Sequence, residues 1–292
     1  MKTVVTHNGS FHADDVFAIA TLKIVLGDFK LIRSRDEEVM KPADIVVDTG
    51  RIYDPLQLRF DHHQEGGAGA RDNGIQYAAF GLVWKEFGEK VCGSKEIAER
   101  VDRAFVAVID AHDNGMDLSK ALREDITDFN VSGLISSFNP TFLEEENHDE
   151  IFLEMVDLAI RILKRQIAIA LSIVEGGKIF MASYEAAEDK RLVVLDRHLN
   201  KNSWQEFVEK LPEVLFVVLP YGSTWALRAV RKDLASFDNR KNLPNEWAGK
   251  AGEELEKITG VSGAMFCHNK LFVANAKTKE AALALAKLAL DN

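Results

Sequence analysis

Four short clusters of histidine and aspartate constrain this chain more than any other feature. They occupy residues 7–15, 48–50, 61–64 and 110–115, and each follows a short apolar run. We interpret these runs as strands. Because the carboxyl ends of parallel strands line one crevice of an open sheet, we expect the four clusters to converge there.

Clustered imidazoles and carboxylates favour a metal site. These ligands suit Mn²⁺, Zn²⁺, Fe²⁺ or Co²⁺, and carboxylates packed together without a cation would repel one another. A carboxylate that bridges two ions can help to activate water and neutralise a phosphoryl group. Simpler interpretations exist for single residues: Asp14 fits a helix cap, residues 113–115 fit a turn, and adjacent histidines occur by chance.

The rest of the N-terminal half predicts an α/β fold with a parallel sheet. Strands are expected at residues 30–33 and 44–48, and a helix after Asp14 that ends at Gly27. Further helices are expected at 74–88, 95–109 and 149–175. Gly176-Gly177 should end the last of these helices and mark a domain boundary.

The C-terminal half predicts an α+β domain with a mixed sheet. Strands are expected at residues 178–184, 192–196, 214–220 and 224–231, and a hairpin at 264–275. Helices are expected at 245–259 and 278–290. The predicted domains are therefore 1–176, a metal-binding catalytic domain with a helical connector, and 177–292, a substrate-binding domain. The active site is expected in the cleft between them.

Charge is distributed unevenly along the chain. The net charge of the whole chain is −10, but residues 1–150 carry −12 and residues 151–292 carry +2. An acidic protein is a poor general binder of duplex nucleic acid. With two cysteines, no signal-peptide pattern and no stretch of about 20 apolar residues, we expect a cytoplasmic protein without a membrane partner.

The motifs also resemble a known family. They read THNGSFHAD at 6–14, VVDTG at 46–50, YDP at 53–55, RFDHHQ at 59–64 and DNG at 113–115. The likeness continues at Leu243-Pro244, at Trp247 and Gly249, and at residues 262–268 and 278–282. This series resembles the DHH phosphoesterase superfamily. Within it, the closest similarity is to the Myg-type (melanocyte-proliferating-gene) exonucleases, formerly called metal-dependent protein hydrolases.

The resemblance implies a role for each matching residue. His7, His12 and Asp48 would hold one divalent ion. Asp14, His62 and Asp113 would hold a second ion together with Asp48, which bridges the two. His63 would face the substrate phosphate, and Asp61 would orient a neighbouring histidine. The implied cofactors are two divalent ions, with Mn²⁺ preferred and Mg²⁺, Co²⁺, Fe²⁺ or Zn²⁺ as alternatives.

Three positions leave alternatives open. In the wider superfamily the first motif usually has an aspartate where this chain has His12. The spacing within that motif is one residue longer in this chain. The extra imidazole favours Mn, Fe, Co or Zn over Mg. Asp110 competes with Asp113 as the last ligand. Asp15 is the alternative to Asp14, although the helical spacing directs it elsewhere.

These roles predict a phosphodiester hydrolase, with Asp48, Asp61, His62 and His63 as catalytic residues. The resemblance implies a 3′–5′ exonuclease on single-stranded RNA. Alternatives are a phosphoesterase of short oligonucleotides or nucleotide phosphates, a regulatory metal-binding protein without turnover, and a peptidase. A homodimer is compatible with the sequence. The residues expected to bind substrate are His63, Arg231, Arg240, His268 and Lys279.

Overall fold

The computed structural model describes residues 1–120, 123, 125–126, 129–144, 147–233 and 237–292. The chain divides into two compact units, Met1–Ala170 and Leu171–Asn292. Each unit contains a five-stranded mixed sheet, so the predicted mixture of helices and strands is confirmed. The specific DHH-type arrangement, the functional division at residue 176 and the interdomain cleft stay predictions.

The sheet of the first unit is mostly parallel. Its strands are β1 (Thr3–Thr6), β2 (Lys30–Arg33), β3 (Ile45–Val47), β4 (Tyr53–Asp54) and β5 (Arg59–Phe60), in the order β2-β1-β3-β5-β4. Only the β4–β5 pair is antiparallel. The central strands β1 and β3 are mostly buried. Their carboxyl ends lead directly into the first and second polar clusters.

In the described part of the first unit, seven α-helices begin. They are α1 (Ala13–Leu26), α2 (Glu37–Met40), α3 (Ala79–Cys92), α4 (Lys95–Val101), α5 (Ala107–Asp113), α6 (Val131–Ser136) and α7 (His148–Ala186). Helix α1 is buried over its first ten residues, and the ring of its Phe17 packs against the rings of Phe80 and Phe105. Gly27 ends it at φ 75°, as predicted. This burial fixes the start of α1, where the first cluster lies.

The fourth cluster does not follow a strand, so that expectation is wrong. Helix α4 continues through a π-helical turn at Asp102–Val106 into α5. Asp110 and Asp113 therefore lie within α5, on a helix that packs against α1 and α3. The apolar run before them is the buried side of this helix, which a short apolar sequence cannot distinguish from a strand. The predicted helix at residues 74–88 also begins later, at Ala79.

Gly176 and Gly177 do not end α7, contrary to the prediction, and residues 178–184 are helical instead of a strand. A Cβ at Gly176 would lie 2.5 Å from the Ser203 Cβ, and one at Gly177 would lie 2.0 Å from the Phe207 Cζ. The two glycines thus allow the segment that contains Ser203 and Phe207 to pack closely against α7. They serve close packing and do not act as a helix stop.

The second unit matches most of its predicted elements. Its strands are β6 (Leu192–Val194), β7 (Phe216–Tyr221), β8 (Thr224–Ala229), β9 (Ala264–Cys267) and β10 (Val273–Ala276), in the order β6-β7-β8-β10-β9. The β7–β8 and β9–β10 hairpins are both present, and only β6 pairs in parallel. Helices α8 (Gln205–Val208), α9 (Gly252–Thr259) and α10 (Lys279–Asp291) complete the unit. Leu285 and Trp247 belong to its core.

Helix α7 is long and apolar enough, by length and composition alone, to cross a membrane. Phe152, Val156, Leu163 and Phe180 of α7 are fully buried, while 28% of its most apolar 18-residue window is buried. The expectation that the chain has no membrane partner stays a prediction.

Candidate metal centre

Three parallel strands and two helix ends supply the side chains of the centre. His7 follows β1, Asp48 follows β3, and residues 61–63 follow β5. The start of α1 adds His12, Asp14 and Asp15, and the end of α5 adds Asp113. The predicted convergence at the carboxyl edge of the sheet is therefore present for three clusters, while a helix brings the fourth.

Asp48 lies at the middle of the centre and has an unusual backbone. Its φ is 53°, in the left-handed region that aspartate tolerates better than most residues. Its backbone N–H donates to the Phe60 carbonyl at 2.9 Å, which holds the residue at the sheet edge. Its buried carboxylate then faces two histidines. Oδ2 lies 3.2 Å from the His7 Nε2, and Oδ1 lies 3.4 Å from the His62 Nε2.

His7 lies between two carboxylates. Its Nε2 is 3.1 Å from the Asp15 Oδ2 and 3.2 Å from the Asp48 Oδ2. Burial by itself lowers the pKa of His7, but hydrogen bonds and charge from Asp15 and Asp48 outweigh burial and raise that pKa to about 10. A histidine that holds its proton so firmly reports a strongly negative environment, which is one that a cation would also occupy.

His62 faces three carboxylates on the other side of Asp48. Its Nε2 lies 3.2 Å from the Asp113 Oδ2 and 3.8 Å from the Asp14 Oδ2. Burial raises the pKa of Asp14 well above its ordinary value, and the negative charges of Asp48, Asp113 and Asp15 raise it further. Like charges at this separation are costly in a buried site unless a proton or a metal ion neutralises them.

Ligand atoms in these clusters lie close enough to share an ion. Three groups have one ligand atom per residue within 4.8 Å of each other: His7, His12 and Asp48; Asp48, His62 and His63; His12, Asp14 and Asp113. Among the described residues, the buried Asp14 Oδ1 and Asp48 Oδ1 accept no hydrogen bond. Because buried acceptors are nearly always satisfied, these two oxygens fit metal coordination. The clustered His and Asp groups could therefore bind metal.

Asp61 holds the residues of the third cluster in place through hydrogen bonds. Its Oδ1 accepts hydrogen bonds from the backbone N–H groups of His62 (2.7 Å) and His63 (3.1 Å) and lies 2.8 Å from the His63 Nδ1. Its Oδ2 accepts from the Arg51 N–H at 2.5 Å. Burial alone raises the pKa of Asp61, but these donors outweigh it and hold the pKa below its ordinary value. The carboxylate therefore stays ionised and fixes the His63 ring.

Asp113 and Asp110, which competed as the last ligand, have different surroundings. Asp113 faces His62, whereas Asp110 is buried away from the cluster. The Asp110 Oδ1 accepts from the Gly81 N–H at 2.9 Å, and its Oδ2 lies 2.8 Å from the Arg71 Nη1. Arg71 also pairs with Asp102 through two bonds. The geometry therefore favours Asp113 as the ligand and gives Asp110 a role in joining elements.

Asp15 does not point away from the centre, so that part of the sequence interpretation is wrong. Its Oδ1 accepts from the backbone N–H groups of His12 and Val16, which caps the start of α1. Its Oδ2 reaches His7 at 3.1 Å. Asp14 and Asp15 are both fully buried and face opposite sides of Asp48, one towards His62 and one towards His7.

Two supporting residues were missed by the sequence interpretation. Arg33 donates to the His7 carbonyl (3.1 Å) and the Gly9 carbonyl (2.7 Å), and thus holds the first loop. Asn139 bonds both the N–H (2.9 Å) and the carbonyl (2.8 Å) of Phe11, next to His12. Both residues bond backbone groups, and such contacts cannot be predicted from a residue pattern.

The predicted substrate residues of the second unit have varied surroundings. Arg240 donates to the carbonyls of Leu211, Val214 and Val208, which commits its terminal nitrogens to the fold. Lys279 pairs with Asp196 at 2.6 Å. The substrate role predicted for these residues stays a prediction, and Arg240 has the least to offer a ligand.

Arg231 and His268 lie beside aromatic rings. The Arg231 guanidinium is 4.3 Å from the centre of the exposed Phe237 ring. The His268 ring centre is 4.4 Å from that of Phe272, and its Nδ1 accepts from the Lys270 N–H. Their role in substrate binding also stays a prediction.

Comparison with known proteins gives matches along the whole chain. The model of an uncharacterised protein family, UPF0160 or MYG1 exonuclease, matches residues 3–290. A MYG1 protein of Chlamydia pneumoniae is 33% identical, with 100% of this chain and 97% of the relative aligned. The MYG1 exonucleases of Homo sapiens and Bos taurus are 27% and 26% identical over 98% of this chain, covering 85% and 84% of their own lengths.

Proposed function

Because this chain belongs to the MYG1 exonuclease family, we propose that it is a divalent-metal-dependent nuclease that shortens single-stranded RNA from its 3′ end. Two relatives are themselves named exonucleases, which supports nucleic acid as the substrate. The observation that carries the metal dependence is the pair of buried oxygens, Asp14 Oδ1 and Asp48 Oδ1, that accept no hydrogen bond from the described residues.

The side chains divide into two ligand sets that share Asp48. His7, His12 and Asp48 would hold one ion, and Asp14, Asp48, His62 and Asp113 would hold the other. Bound divalent ions supply Lewis acidity, which lowers the pKa of water and neutralises phosphoryl oxygens. The extra imidazole of His12 favours Mn²⁺, Fe²⁺, Co²⁺ or Zn²⁺ over Mg²⁺, and Mn²⁺ is our preferred ion.

His63 is the residue best placed to contact the substrate phosphate. It is 55% exposed, and its Nδ1 is committed to Asp61, so Nε2 remains free to face a ligand. The hydrogen bond that the His63 Nδ1–H donates to Asp61 raises the pKa of His63, and burial opposes this only in part. A protonated His63 would donate a charge-assisted hydrogen bond to a phosphoryl oxygen as negative charge develops there.

A second candidate function is hydrolysis of short oligonucleotides or nucleotide phosphates by the same site. The open strand-end loops suit such small substrates equally well. The open coordination expected at strand-end loops would argue against a purely regulatory metal site, because structural sites are usually closed by protein ligands. Cleavage of peptides has no observation in its favour among the described residues.

The test is hydrolysis of a 5′-labelled single-stranded RNA and a matched DNA with added Mn²⁺. We expect an RNA ladder that shortens from the 3′ end, that a chelator abolishes and that Asp48→Ala reduces by at least about 1,000-fold. Asp28→Ala, an exposed carboxylate outside the centre, is the matched control and should retain activity. Cleavage that survives the chelator or Asp48→Ala would contradict the proposal.

If neither polymer is cleaved but Mn²⁺ binds, the exonuclease assignment fails. The same assay on di- to tetranucleotides then tests the second candidate function.

A further inference from the structure

Two cavities within the first unit share His63 in their lining. One, of about 620 Å³, is lined by Asp48, Asp61 and His63 and by the loops after β2 and β3. The other, of about 700 Å³, is lined by His12, Asp14, His62, His63 and Asp113. We call them the β3 cavity and the α5 cavity. Because His63 lines both, a substrate phosphate at that residue would border both cavities.

The two cavities differ in charge. The β3 cavity includes four basic side chains among its lining residues: Arg35, Lys41, Arg51 and Arg59. The lining of the α5 cavity, as far as the described residues extend, contains neither lysine nor arginine. Its further polar groups are amides, hydroxyls and an imidazole, from Gln64, Gln76, His112, Asn114, Ser132 and Ser136. The first cavity therefore suits a phosphate, and the second suits the uncharged base and ribose of a nucleoside.

Two of the four basic side chains have partners in the described part of the chain. Lys41 pairs with Glu38 at 2.6 Å, and the Arg59 guanidinium donates to three backbone carbonyls, those of Ala43, Asp44 and Gln57. Among the described residues, the guanidinium groups of Arg35 and Arg51 have no hydrogen-bond or ion-pair partner. Both are exposed. Three acidic residues, Glu37, Asp48 and Asp61, line the same cavity, so its four basic residues exceed the acidic ones by one.

Arg51 and His63 both contact the same carboxylate, that of Asp61. The Asp61 Oδ2 accepts from the Arg51 N–H, while its Oδ1 lies 2.8 Å from the His63 Nδ1. Arg51 also has a left-handed backbone, with φ at 55°. Such a conformation persists where the surroundings enforce it. One buried carboxylate thus contacts both the backbone of Arg51 and the ring of His63.

We infer that Arg35 and Arg51 bind the phosphodiester one nucleotide upstream of the scissile bond, while the α5 cavity receives the 3′-terminal nucleoside. This rests on the proposed function. A 3′ end with a free hydroxyl carries no phosphate beyond its last nucleoside, which matches a cavity without basic groups. The strand that continues upstream carries a phosphate at every nucleotide, which matches the β3 cavity. Arg35 and Arg51 would then determine specificity for the strand and its direction.

The test combines a protein change with a substrate change. Tetranucleotide RNAs are prepared with ordinary phosphates or with one uncharged methylphosphonate at the position upstream of the last phosphodiester. We expect the methylphosphonate to raise the KM of the unaltered protein about tenfold, and Arg51→Gln or Arg35→Gln to raise it similarly with ordinary RNA. In either variant the methylphosphonate should raise the KM less than it does in the unaltered protein, because one of the two arginines that pair with this phosphate is already lost.

Lys41→Gln is the matched control, since this lysine lines the same cavity but is paired with Glu38. Its KM for both RNAs should equal that of the unaltered protein, and kcat should change less than twofold in all three variants. A methylphosphonate effect that persists in full in both arginine variants would overturn the inference while leaving the proposed function intact. Failure of the unaltered protein to cleave ordinary RNA would overturn both.

Discussion

At the scale of single residues, the centre combines groups that are individually unfavourable. Asp14, Asp15, Asp48 and Asp61 are almost fully buried carboxylates, and only Asp61 has donors for both of its oxygens. The others depend on histidines or on a cation. Without a proton or a cation to neutralise them, these carboxylates lower the stability of the fold. Clusters of this kind are typical of functional sites.

Asp61 gives the sharpest prediction at this scale. Asp61→Asn should lower kcat about 10- to 100-fold, because an amide cannot accept from Arg51 and from His63 at the same time and the His63 ring loses its orientation. Mn²⁺ affinity, measured by titration calorimetry, should change less than about tenfold, since Asp61 is not in either predicted ligand set.

The split between kcat and metal affinity is the informative result. If Asp61→Asn abolished Mn²⁺ binding, Asp61 would be a ligand and the orienting role would be wrong. Asp54→Asn provides a comparison, because Asp54 also accepts backbone hydrogen bonds but caps a 3-10 helix away from the cluster.

At the scale of secondary-structure elements, Arg71 joins three segments of the first unit. It lies in the loop before α3 and pairs with Asp102 on the π-helical turn and with Asp110 on α5. Burial raises the pKa of Asp110 to about 7, although Arg71 and the Gly81 N–H act against this rise. The folded state therefore binds a proton at Asp110 more tightly than the unfolded state, and Asp110 lowers stability as the pH rises from about 4 towards 7.

Removing the arginine should make this penalty larger. Arg71→Gln should raise the pKa of Asp110 further and lower the free energy of unfolding by about 3 kcal/mol at pH 8. At pH 5 the loss should be less than half as large, because Asp110 is then protonated with or without Arg71. Urea unfolding at the two pH values measures the difference. Adding Asp110→Asn should remove the pH dependence of the loss; a loss of equal size at both pH values would contradict the account.

Helix α7 gives a second prediction for an element. Gly to Ala inside a helix normally stabilises it by about 1 kcal/mol. Gly177→Ala should instead lower the free energy of unfolding by about 1–2 kcal/mol, because its Cβ would meet the Phe207 ring. Denaturant unfolding of Gly177→Ala, Phe207→Leu and the double variant tests this contact. The double variant should be more stable than the sum of the two single losses predicts, and strict additivity would contradict the packing role.

These elements also show what sequence can and cannot predict. The clusters after β1, β3 and β5 were predictable because a short buried strand followed by polar residues has a clear pattern. The position of Asp113 on a helix was not, since the five-residue apolar run before Asp110 suits a strand and a helix equally. Gly176-Gly177 misled because glycine often ends helices, and only the packed structure shows that Ser203 and Phe207 occupy the space.

At the scale of the whole molecule, the first unit contains every residue assigned to the metal centre. The second unit provides a separate mixed sheet with its own core around Trp247 and Leu285. The family match covers both units, so the relatives share the complete chain and not the metal-binding half alone. The substrate role predicted for Arg231, His268 and Lys279 stays a prediction, because a residue pattern alone does not establish where these side chains lie.

The central claim is that two ligand sets share Asp48, and anomalous diffraction from crystals soaked in Mn²⁺ tests it most directly. The account predicts two manganese peaks, one bonded to His7, His12 and Asp48 and the other to Asp14, Asp48, His62 and Asp113. Asp48→Ala crystals should lose at least one peak. Absence of manganese from this cluster, or binding at residues outside it, would contradict the account.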